Sequence, residues 1–220
     1  DTQYLSGGKV TIESGSSTTT SSGDMTLLTA DGGQLGASGA IDLQTGSAQE
    51  NAGSILIQTG TSFSGKGGSI KINVAAGSSG TGPDVDIFAG DTTAARSGGN
   101  VRIATGTSSV SSSGDFILQT TDAGKLGVSG SMSITTGTTS LGNSGKINIL
   151  SGKAQGGRGG SIYVGVGSGD SSTGGELFLL AGNAVDRSGG RVILSSGFGS
   201  STSSGPLMMR TPYAGTSGVS

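Results

Sequence analysis

The sequence predicts an all-β chain: a parallel β-solenoid (β-helix) of about fourteen coils, each ~15 residues long and thin and flattened in section. Three observations predict it. An apolar residue opens a short unit at Val10, Met25, Ile41, Ile55, Ile70, Val85, Val101, Phe116, Met132, Ile147, Ile162, Leu177, Val192 and Leu207, at intervals of 14 to 16 residues. Each lead residue has an apolar partner two positions later, from Ile12 and Leu27 to Leu194 and Met209, and spacing by two places both side chains on one face of a strand. Finally, nearly every unit enters through Ser-Gly or Gly-Gly and leaves through a small residue, often followed by Gly. Hairpins would alternate direction and turn chemistry, whereas a coil meets the same corner on every lap.

The elements follow in order. Segments such as 10–14, 41–45 and 147–151 are short, rich in Val, Ile and Leu, and bounded by glycine, which favours strand. Abundant Gly and β-branched residues, with no apolar set at a 3.6 period, argue against helix. Return segments such as 16–22 and 107–113 are rich in Ser and Thr, so one side of the coil is apolar and the other small. The glycines after Thr or Ser (Gly15, Gly46, Gly60, Gly106, Gly137 and Gly152) are expected at sharp corners with positive φ. Thr29, Thr45, Thr59, Thr105, Thr120 and Thr136 are expected to point inward, stack from coil to coil and satisfy backbone groups. Coils ~4.8 Å apart would give a rod of roughly 65 Å.

A slower period lies over the short one. Gly23, Gly114 and Gly205 recur 91 residues apart, and the segment 29–39 returns at 120–130 and begins again at 211. Six units fill this super-repeat. Residues 1–220 are therefore expected to form a single continuous solenoid, cut from a longer tandem array.

Composition excludes much chemistry. Gly takes 46 of 220 positions, and His, Cys and Trp are absent. That removes Ser-His-Asp and Cys-His catalysis, imidazole and thiolate metal sites, and disulfides. Charged residues are 12% of the chain and the net charge is -2, with no basic footprint for nucleic acid. No run approaches the ~20 apolar residues of a membrane span. No enzyme activity, cofactor or metal is expected.

Two surface features are candidate sites. The residue after each lead residue faces outward on a strand, and this column becomes bulkier toward the C-terminal half. Tyr163, Phe178, Ile193 and Met208, with Leu180 in the next outward column, form a candidate lateral interface for self-association or for other fibre subunits. Lys66, Arg96, Arg158 and Arg187 precede Gly-Gly or Ser-Gly-Gly and form a candidate basic edge, suited to an acidic polysaccharide or to a solvated edge that resists aggregation. Asp31, Asp91 and Asp122 share a corner with Asn183. The Gly-Gly-x-Gly-x-Asp repeat of calcium-binding solenoids is absent, so these read as turn residues.

The unit Ser-Gly-x-Ile-x-Leu-x-Thr-Gly, as in 38–46, resembles a class of very long Gly/Ser/Thr-rich β-solenoid repeat proteins. These belong to the extracellular matrix or cell surface of algae and stramenopiles. The resemblance implies a structural, extracellular or cell-surface role, as a segment of a rod or filament in a wall, surface layer or appendage, and transfers no catalytic residue. Small-coil solenoids also resemble some ice-binding proteins. Here Glu13, Asp42, Lys71 and Arg102 interrupt the outward ranks that ice binding needs. A viral or bacterial fibre adhesin is the third reading.

Overall fold

A computed structural model describes residues 7–170, 173–213 and 215. Among them there is no β-strand and no helix. The parallel β-solenoid is thereby corrected, and with it the stacked coils and the rod. The beginning of the first unit at Ser6, and most of the third copy of the long segment beyond Tyr213, lie outside the described residues.

The physical reason lies in where the backbone bonds go. A solenoid requires each apolar segment to exchange a ladder of bonds with the segment one lap away. Here the bonds are local. The N–H of Gly23 donates to the carbonyl of Gly15 at 2.9 Å, Gly99 to Gly90 at 2.9 Å, Gly114 to Gly106 at 3.1 Å, Gly190 to Gly182 at 2.9 Å and Gly205 to Gly197 at 3.0 Å. Each bond joins the end of one apolar arm to the start of the next and closes the Ser/Thr/Gly return segment into a loop. Approach between residues a full repeat apart is rare. Closing a short loop costs less chain entropy than ordering an array of distant pairings. Leu, Ile, Val and Phe make up roughly 20% of the chain, close to the level at which burial no longer offsets ordering.

The chain divides into two units, Asp1–Ala104 and Thr105–Ser220. In the first, two further closures use threonine: Thr29 Oγ1 donates to the carbonyl of Gly39 at 3.1 Å, and Thr45 Oγ1 to that of Gly53 at 3.2 Å. Of the six threonines expected to satisfy backbone groups, these two do so, within their own loop rather than across coils. In the second unit the closest fit is at Gly175, where a Cβ would lie 2.6 Å from Val166 Cγ1.

These closures are the centres of packing. Five described residues are half-buried, and Ser14, Thr59, Ala89 and Ala181 among them all stand four places after a lead residue; Gly199 is the fifth. None of the described residues is buried, polar or apolar. Total accessible surface is 22981 Å², against about 9,000 Å² for a globular chain of this mass.

The corner glycines need a correction too. Positive φ occurs at Gly80, Gly142 and Gly156, inside the loops, and at none of the six positions expected. Gly142, at φ 114, has a backbone conformation that a Cβ would strain. Of the six, Gly15 and Gly106 instead accept a closure bond, as Gly90, Gly182 and Gly197 do, and that needs only an available carbonyl.

Candidate functional site: the apolar arms

Between closures, most of the three-residue apolar arms retain the period of two that their sequence suggests, 207–209 being an exception. In one arm Ile55 is 49% exposed, Leu56 80% and Ile57 68%. The lead residue is the most covered of the three and the next the least, so alternation survives without a ladder. Among the described residues the least exposed large apolar one is Val74 at 41%, four places after its lead residue, although no closure bond forms in the loop that follows it.

Tyr163, Phe178, Leu180, Ile193 and Met208 are all exposed. They stand on the four successive arms that begin at Ile162, Leu177, Val192 and Leu207. The structure thus presents the candidate lateral interface to solvent, and all of it belongs to the unit Thr105–Ser220. Lys66, Arg96, Arg158 and Arg187 are exposed as well. Each ends or follows the bend of a different loop, and the Arg96 N–H donates to the Ala94 carbonyl at 2.7 Å. The four cations are distributed one per loop, two in each unit.

Sequence reasoning missed a regular device in the loops. Ser17, Ser62, Thr92, Ser108 and Thr139 each stand seven residues after a lead residue. Ser17 Oγ accepts from the N–H of Thr20 at 2.9 Å, Ser62 Oγ from Gly65 at 2.9 Å and Ser108 Oγ from Ser111 at 2.8 Å. Thr92 Oγ1 accepts from Ala94 at 3.2 Å, and Thr139 Oγ1 donates to the Leu141 carbonyl at 3.1 Å. Such side-chain bonds turn the backbone on itself and compete with pairing between segments. Their signal was readable: a Ser or Thr seven residues after five of the fourteen lead residues.

The comparisons add no relative. No family model, curated protein or solved structure matches the chain.

Chemistry therefore rests on the geometry alone. Among the described residues no three acidic side chains gather where a metal could sit, so Asp31, Asp91 and Asp122 do not form a cation site there. A concavity of about 520 Å³ is lined by Arg210, Thr211, Pro212 and Tyr213. Four consecutive residues curving around open space do not form a convergent set of acid, base and nucleophile. Among the described residues no helix is long and apolar enough to cross a membrane. The repeated feature presented to solvent among the described residues is the set of apolar arms.

Proposed function

We propose that this chain is a structural repeat protein of the cell surface or extracellular matrix, a filament or wall-layer segment that assembles through its apolar arms. One observation carries the reading: large apolar side chains recur at a fixed spacing along the chain, yet every one described stands exposed. Contiguous exposed apolar surface marks sites of association, and a regular series of such arms offers the same contact many times over. The short loops between arms, closed by single bonds and turned by Ser and Thr, act as spacers that set the interval from one arm to the next. The absence of His and Cys from the sequence fits a role without acid–base or thiol chemistry.

Ice binding gains no support, because the hydroxyls of Ser17, Ser62 and Ser108 are occupied by their own loops. The test is negative-stain microscopy with sedimentation over a concentration series. Ordered filaments or sheets support the proposal; monomers at every concentration contradict it.

A further inference from the structure

Charge is spread unevenly over the loops. Loop 59–68 has Lys66 alone, 89–99 has both Asp91 and Arg96, 120–130 has Asp122 and Lys125, and 181–190 has Asp186 and Arg187. Loop 151–160, Ser-Gly-Lys-Ala-Gln-Gly-Gly-Arg-Gly-Gly, is the exception. Lys153 and Arg158 stand in it with no acid, and no Asp or Glu occurs between Asp122 and Asp170. The stems of this loop meet. A Cβ on Gly160 would lie 3.4 Å from Ser151 Cβ, and one on Gly159 would lie 3.9 Å from the Gly152 carbonyl oxygen. Lys153 directly follows Gly152 and Arg158 directly precedes Gly159, so their Cα atoms are at most about 15 Å apart. Both side chains are exposed, and Gly156, at φ 74, lies in the bend between them.

We infer that loop 151–160 is a clamp for an acidic polysaccharide, with Lys153 and Arg158 as its two cationic contacts. The choice of polysaccharide among polyanions rests on the structural reading above. Two like charges held in one closed loop repel, and a chain bearing sulfates or carboxylates relieves that repulsion by meeting both. Arg158 suits one oxoanion group bidentately, and Lys153 suits a second as a point charge. Five of the ten loop residues are glycine, so few side chains keep a bulky polymer from the backbone. The other cationic loops are less suited: Asp91 and Asp186 would repel the same polymer beside Arg96 and Arg187, and Lys66 has no second cation.

Other polyanions fit less well. The loop has no aromatic side chain on which a nucleic-acid base could stack, and no apolar side chain larger than Ala154 to enter a lipid surface. Charge and access to the backbone are its means of recognition. Contacts of this kind form in solvent, so salt should weaken them strongly.

The experiment is isothermal titration calorimetry of the 220-residue chain with dextran sulfate, polygalacturonate, neutral dextran and a single-stranded thymidine oligonucleotide, at 0.05 M and 0.5 M NaCl. The variants are Lys153→Gln/Arg158→Gln and, as a control of equal charge, Lys66→Gln/Arg187→Gln. The expected result is binding of an acidic polymer but not of neutral dextran, weakened at least tenfold by 0.5 M NaCl. The loop variant should weaken it at least tenfold and the control less than threefold. Preference for dextran sulfate assigns sulfate as the recognised group, and preference for polygalacturonate assigns carboxylate. No binding, binding indifferent to salt, equal weakening by both variants, or tighter binding of the oligonucleotide overturns the clamp. The filament reading stands or falls separately, on microscopy without polysaccharide.

Discussion

Asp1–Ala104 and Thr105–Ser220 are built on one repeat and closed by the same kind of bond, yet they present different surfaces. The closures are interchangeable: Gly23 to Gly15 and Gly99 to Gly90 in the first, Gly114 to Gly106 and Gly190 to Gly182 in the second. What differs is the residue between each apolar pair, charged at Asp42, Lys71, Asp86 and Arg102 and uncharged from Ile117 onward. The difference teaches that this repeat separates two tasks. Gly and small residues at the arm ends hold the loops, and the middle of the arm is free to vary with the surface it meets.

The largest expected effect comes from exchanging those surfaces. Asp42→Ile with Asp86→Phe removes two of the four charges from the first unit's arms and puts large apolar side chains in their place. It should add an association site, seen as at least tenfold tighter self-association at low protein concentration. Unchanged association would mean that the middle residue does not govern contact.

A closure variant should follow in size. Gly175→Val places a branched side chain where even a Cβ would lie 2.6 Å from Val166. The backbone near Gly175 should be cut by a broad-specificity protease about tenfold faster. Gly33→Val, with no atom within 4 Å of the added Cβ, should leave the cutting rate unchanged.

The first unit contains the natural counterpart of that variant. At the position where Gly23 and Gly99 donate their closure bonds, the loop after Val74 has Pro83, which has no N–H to give. Pro83→Gly supplies the donor, and its new amide should exchange about fivefold more slowly than those of Gly80 and Gly82, the margin of one net hydrogen bond of about 1 kcal/mol. Exchange at the rate of its neighbours would show that the closure bond does not form there.

The repeat, its spacing, the super-repeat and the alternation within most arms were legible in the sequence, because side-chain type sets them directly. Tyr163, Phe178, Leu180, Ile193 and Met208 are exposed, but so is every other large apolar residue described, so exposure does not single them out. The solenoid was not there to be found. Period-two spacing shows which residues share a face, but whether neighbouring segments pair depends on competition with local bonds. Ser17, Ser62 and Ser108 show the local bonds prevailing, each holding amides two or three residues ahead. Gly15 and Gly106 were expected at coil corners with positive φ; they lie at no bend and instead accept a closure bond through the carbonyl.

The smallest expected effect isolates one such hydroxyl. Ser108→Ala removes the acceptor for the amides of Val110 and Ser111, at 3.3 and 2.8 Å. Their hydrogen exchange should quicken about fivefold, and Ser17→Ala should do the same to Thr19 and Thr20. A loop held by its closure alone would show no change in either.

Amide-resolved hydrogen exchange on the dilute, unassociated chain tests most directly whether closures rather than ladders organise the repeat. The account predicts the strongest protection at the amides of Gly23, Gly99, Gly114, Gly190 and Gly205, with the arm amides of Thr11, Asp42 and Arg102 exchanging near the unprotected rate. Protection spread evenly along the arms, at corresponding positions in every repeat, would contradict it.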